Sequence, residues 1–189
     1  MMKIILVSVV GFFVACSASK EVNFSDKETK TFDVTIEATT TQAYCGGAQP
    51  TEEILDELNT PVPAPNVSIY LRKGTINDIN KPVDYKLSTN DSGRVETQLP
   101  AGTYSVVFEN KKNQAGYDDL IEKYGKETTK QTAIDTTCLK KHFSQPNGIL
   151  EVAEKGTNKL IVNRRKRCQW TKIPCSNYKG QLPPSAPPR

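Results

Sequence analysis

Histidine occurs once in this chain of 189 residues, tryptophan once and methionine twice. A single imidazole, His142, excludes a multi-histidine metal centre and leaves little material for acid–base chemistry. There is no Gly-x-Ser-x-Gly elbow, no His-Glu-x-x-His helix and no glycine-rich phosphate loop, so the common hydrolase, zincin and nucleotide signatures are missing. Long hydrophobic runs are also missing. The longest, Ile4 to Ala15, spans about 18 Å as a helix against a bilayer core of about 30 Å. Hydrophobic residues make up 37% of the chain, which limits the core to a modest one. Charge of one sign is scarce as well: 25 basic against 21 acidic residues leave +4, too mild to point to nucleic acid.

What is present begins at the N-terminus. Met1-Met2-Lys3 precedes the short apolar run, and the chain turns polar at Ser17-Ala18-Ser19-Lys20-Glu21. That order reads as a secretory signal over residues 1–15. Val14-Ala15-Cys16 at its exit resembles the lipobox of bacterial lipoproteins. The resemblance implies that Cys16 is acylated and becomes the first residue of a membrane-anchored protein. An ordinary signal cut after Ala18 is the alternative, and it yields a secreted, unanchored binding protein. Residues 16–30 are polar and aperiodic, as a tether would be.

The remaining cysteines are Cys45, Cys138, Cys168 and Cys175, an even number in an oxidising compartment, and they predict two disulfides. Zinc is the competing reading, but no Cys-x-x-Cys pair occurs and His142 is the one available histidine. Four cysteines allow three pairings. Sequence does not decide among them; a local Cys168–Cys175 clip, with Cys45–Cys138 closing the long loop, is slightly favoured.

Between these landmarks the pattern is that of short strands. Phe32, Val34, Ile36 and Ala38 alternate with polar residues, and so do Val67-Ile69-Leu71, Val83-Tyr85-Leu87, Val95-Thr97-Leu99 and Tyr104-Val106-Phe108. Thr51 to Leu58 reads as a short helix ended by Pro61, and Tyr117 to Tyr124 as a second one stopped at Gly125. A last strand is expected over Lys159 to Asn163. The fold class is therefore mainly β, a small antiparallel sandwich with one or two short helices over residues 31–176. A proline-rich tail, 177–189, should run as polyproline II.

Three segments carry a resemblance. Pro65 to Leu71, Ser88-Thr89-Asn90-Asp91-Ser92-Gly93-Arg94-Val95 and Leu99-Pro100-Ala101-Gly102-Thr103-Tyr104-Ser105-Val106 resemble the carboxypeptidase regulatory-like domains, also called transthyretin-like or collagen-adhesin B-type modules. The resemblance implies a transthyretin-like sandwich in which Asp91 bonds the turn backbone, Gly93 takes a left-handed conformation and Tyr104 enters the core. Some of these modules carry a Lys–Asn isopeptide bond; Lys30 and Asn163 are the candidates here, with no acid placed between them. Tyr44 to Ala48, Cys168-Gln169-Trp170, Pro174-Cys175 and the proline-rich end are similar to lipoproteins of the Bacteroidota. That likeness implies an outer-membrane location, and the weak charge of Lys20-Glu21 leans to its periplasmic face.

For chemistry, the sequence offers few candidates. Cys138 with His142 at i, i+4 imitates a thiol–imidazole pair, and Glu52/Glu53 and Asp118/Asp119 are carboxylate pairs, but adjacent acids of this kind are usually solvated helix faces. No catalytic residue, metal or cofactor is expected. The densest charge run, Asn163-Arg164-Arg165-Lys166-Arg167, reads as a solvated strand end; its functional counterpart is a contact for anionic lipid headgroups or an acidic glycan. Trp170 beside Arg164, Arg165 and Arg167 forms the candidate patch for an anionic polymer or a partner protein. The expectation is a non-enzymatic, membrane-anchored lipoprotein with a structural or binding module. Its rival is an enzyme using Cys138/His142 or a carboxylate pair.

Overall fold

The computed structural model describes residues 29–182. The expected signal (1–15), the lipidation site Cys16, most of the tether and the proline-rich end from residue 183 lie outside the described residues. The elements, in chain order, are β1 (Thr31–Gln42), α1 (Glu52–Asn59), β2 (Val62–Pro63), β3 (Ser68–Lys73), β4 (Tyr85–Ser88), β5 (Arg94–Pro100), β6 (Gly102–Phe108), α2 (Gln114–Tyr124), α3 (Thr136–Ser144), β7 (Gly148–Val152) and β8 (Lys159–Lys166). Strands form where hydrophobic residues alternate, because successive side chains leave a strand on opposite faces. Val34, Ile36 and Ala38 of β1 are buried while Thr31 and Asp33 are exposed.

Two sheets result. In the first, β1 is central, with β5 and β2 along one side and β8 along the other. The second runs β4–β3–β6–β7. Between them lie Val34, Ile36, Ile69, Leu71, Leu99, Tyr104, Val106, Leu150 and Val162. The protein is mainly β, a small sandwich. The pairing is antiparallel, as expected, with one exception. The first and last strands, β1 and β8, pair in parallel from Thr35↔Lys159 to Gln42↔Lys166. A parallel pair requires a long crossover, and here nearly the whole domain supplies it.

The hairpin between β4 and β5 follows the sequence with one change of actor. Gly93 has φ +74°, and a Cβ there would meet Ala64 N at 2.7 Å and Ala38 O at 2.8 Å, so glycine is required twice over. The side chain that bonds the turn is Asn90, not Asp91. Its Oδ1 accepts from Ser92 N at 3.1 Å and Arg94 N at 3.0 Å, because position i of the turn, rather than i+1, faces those amides. Tyr104 is fully buried, and its hydroxyl donates to Pro100 O at 2.9 Å. Burial pushes its phenol up to about 12.

The second sheet is covered on both faces. Ile69, Leu71 and Val106 face the sandwich core, while Tyr70, Arg72, Ser105 and Val107, which point the other way, are also buried. Their cover is a helical layer with its own small core: Ile134, Leu139 and Phe143, joined by Ile79, Tyr117, Leu120 and Ile173. There are three α-helices rather than one or two. The extra one, α3, is capped by Asp135, whose Oδ1 accepts from Thr137 N at 2.8 Å and Cys138 N at 3.0 Å. Gly125 does stop α2, but with φ −69° it does so as an ordinary helical residue.

Arg72 bolts this layer to the sheet. It is 3% exposed, and its guanidinium donates to Asn77 Oδ1 at 2.6 Å, to Lys81 O at 3.1 Å and to Lys112 O. Asn77 Nδ2 in turn donates to Lys111 O at 2.9 Å and Phe143 O at 2.8 Å. The domain also extends past the boundary expected at residue 176. Lys179 N donates to Lys130 O at 2.8 Å and Tyr178 bridges Gln131, so the first tail residues belong to the fold.

Candidate functional site

The disulfides fix the end of the molecule where the charged residues gather. Cys45 pairs with Cys168 (Cα–Cα 5.5 Å) and Cys138 with Cys175 (Cα–Cα 5.7 Å), instead of the expected Cys45–Cys138 and Cys168–Cys175. The reason is the parallel ladder. β1 and β8 leave the sheet side by side, Ala43 N still donates to Lys166 O at 2.9 Å, and two residues further along each chain the cysteines meet. Cys175 is carried to α3 by the C-terminal segment, which bonds back through Asp135 N to Cys175 O at 2.9 Å. With its sulfur bonded to Cys175, Cys138 has no thiol to offer His142.

A groove of about 810 Å³ opens between the end of β8 and the helical layer. Arg164, Arg165, Lys166 and Arg167 line it from β8 and the residue beyond. Lys111 enters from the one-turn helix Glu109–Lys111, His142 from α3 and Lys172 from the C-terminal segment. Among the described residues no Asp or Glu lines it. Among the described residues, none of these lysines and arginines has a carboxylate partner. Lys111 is the unusual one: it is 7% exposed, and its ammonium donates to Gln145 O at 3.1 Å. Burial, then the charge of Arg167, lowers its pKa.

His142 is half-buried in the same groove and held neutral. Burial first, then Lys111 and Arg167, depress its pKa to about 4. The unfolded chain therefore binds this proton more readily than the folded one. Stability owed to the neutral ring is complete above the ordinary value of 6.5 and is lost as pH falls towards about 4. We expect urea denaturation across that window to show a steeper loss for the native protein than for His142→Gln. Equal slopes would mean that the ring does not sense the groove.

The expected patch is thus enlarged and shifted. Arg164, Arg165 and Arg167 are brought together, but Trp170 is half-buried in the turn Gln169–Thr171 and does not line the groove, although Gln169 and Lys172 on either side of it do. Lys111 and His142, missed as partners of the arginine run, lie 53 and 22 residues before Arg164, and no spacing signal connects them. The other candidates disperse. Glu52 and Glu53 are exposed on α1, and Asp118 and Asp119 are exposed on α2, where Asp119 pairs with Lys123 at 2.6 Å. Lys30 pairs with Glu154, and Asn163 Nδ2 donates to Thr41 Oγ1 at 3.0 Å, so the isopeptide candidates do not meet. Among the described residues no His/Cys/Asp/Glu cluster is arranged to hold a metal.

A second cavity, about 820 Å³, lies beyond Arg72 and Asn77. Its cations, Arg72, Lys73, Lys81 and Lys140, share the lining with Asp78 and Asp84, and the Arg72 guanidinium is already committed to backbone carbonyls. Uncompensated charge is therefore a property of the basic groove. Among the described residues no helix is long and apolar enough to cross a membrane. Compared with known proteins, the chain matches no family model, no curated protein and no solved structure.

Proposed function

We propose that this protein is a non-enzymatic lipoprotein of the bacterial cell envelope, held on a membrane by acylated Cys16, whose transthyretin-like sandwich serves as a binding module for an envelope protein or glycan. The single observation that carries the binding role is the groove itself: among the described residues, six lysine and arginine side chains and no carboxylate line it. Like charges crowded together repel and destabilise a fold, so a surface that keeps them apart from carboxylates is suited to an external anion. The anchoring rests on the sequence before Ser17, and the transthyretin-like reading on Gly93 at its positive φ and the buried Tyr104 after Pro100-Ala101-Gly102.

Two variants test it. Cys16→Ala should move the protein from the detergent phase to the aqueous phase; unchanged partitioning would defeat the anchor. Arg164→Gln with Arg165→Gln, both on exposed side chains, should remove the envelope components recovered by pull-down at low salt. Recovery of the same components with the same salt sensitivity would defeat the binding role.

A further inference from the structure

We propose that the groove is a phosphate-binding site in which Lys111, Arg164 and Arg167 seat one phosphate group, borne by a lipid headgroup or by a soluble ester. The proposal rests on the reading of the groove as a binding surface and narrows it to one chemistry.

Three observations support the narrowing. First, the imbalance is local. The six lysine and arginine charges of the groove exceed the chain's whole net charge of +4, whereas the neighbouring cavity balances its cations with Asp78 and Asp84. Second, Lys111 is a buried cation, 7% exposed, whose ammonium bonds the neutral carbonyl of Gln145. A buried charge is normally paired; among the described residues no carboxylate pairs with Lys111, and an anion entering the groove would supply that counter-charge. Third, three of the cations are arginines. Planar guanidinium forks match the tetrahedral array of phosphate oxygens and bond it bidentately, and even the monoanion of a phosphate offers several oxygens to donors that line one groove. A groove of about 810 Å³ suits a headgroup or a sugar phosphate.

His142 provides the readout, because it is the only histidine in the chain and its Hε1 proton gives one assignable signal. The groups acting on it are Lys111 from the one-turn helix and Arg167 from the end of β8. Arg164, Lys166 and Lys172 line the same groove. Phosphate seated among them offsets their repulsion and makes the ring easier to protonate.

The full chain carrying Cys16→Ala, which leaves the groove intact, is titrated with inorganic phosphate near pH 5, with sodium chloride at matched ionic strength as reference. Phosphate should move the Hε1 signal saturably and raise the apparent pKa of His142. Arg167→Gln, an exposed substitution, should weaken phosphate about tenfold or more without lowering the urea midpoint, and Lys155→Gln should leave the affinity unchanged. The same chain is then sedimented with phosphatidylglycerol or phosphatidylcholine vesicles. Sedimentation with the anionic vesicles that phosphate reverses identifies a headgroup as the source; saturable phosphate binding without it identifies a soluble ester. A signal that follows chloride as well as phosphate, or an affinity unchanged in Arg167→Gln, overturns the proposal. If that happens while the pull-down still depends on Arg164 and Arg165, the phosphate site falls and the binding module stands.

Discussion

Replacing Cys45 and Cys168 together by serine should lower the thermal midpoint by about 10–20 °C. The loop they close has a sequence separation of 123, which in the chain-entropy description corresponds to about 5 kcal/mol of restraint on the unfolded chain. The Cys138–Cys175 loop, with a separation of 37, corresponds to about 4 kcal/mol, and its removal should loosen α3 and the C-terminal segment before the sandwich. Tryptic peptides from the unreduced protein check the pairing directly. Trypsin cuts after Arg167 and Lys172, so Cys168 and Cys175 fall in different peptides. A cross-link between those two peptides, or free thiols at these positions, would refute the pairing. A loss below a few degrees in the Cys45/Cys168 variant would refute its dominant share.

Arg72→Met is expected to cost about 3–5 kcal/mol. Methionine fills a similar length of site but leaves Asn77 Oδ1 and the carbonyls of Lys81 and Lys112 without their donor, in surroundings where Arg72 is 3% exposed. Arg72→Lys should not rescue the protein, since one ammonium cannot reach three acceptors that diverge around a planar fork. The loss should be directional. Amides of α2 and α3 should exchange faster while those of β1, β5 and β6 remain protected, because Arg72 and Asn77 join the helical layer to the sheet rather than the sheets to each other. A drop in the urea midpoint equivalent to less than about 1 kcal/mol would show that the layer is held by its apolar contacts alone.

Most strands were legible because each buries one face against the core. Val34-Ile36-Ala38 and Tyr104-Val106-Phe108 carry a period of two that only a sheet satisfies. The partner of β1 was not legible. The run Lys159 to Lys166 turns basic after Val162, and periodicity within a strand does not say whether its neighbour runs parallel or antiparallel. The disulfide expectation failed for the same reason, since Cys45 and Cys168 are neighbours only because β1 and β8 are. The third helix was hidden by its composition: in Thr136–Ser144 only Leu139 and Phe143 are buried, and seven of its nine residues read as polar or small. The arginines of the groove stood out as a run, but Lys111 resembled any surface lysine until Gln145, Asn77 and the one-turn helix enclosed it.

The parallel β1–β8 pair gives the domain a mechanical direction. Thr31 opens β1 at one end, and Arg167 follows β8 at the other, about 35–40 Å away along strands of this length. A pull applied between them slides the two strands along their common axis, so every rung from Thr35↔Lys159 to Gln42↔Lys166 is loaded together instead of peeling one at a time. Beyond the last rung the Cys45–Cys168 bond takes the load covalently. A pull of this direction would therefore be borne by the whole β1–β8 ladder and by the disulfide beyond it.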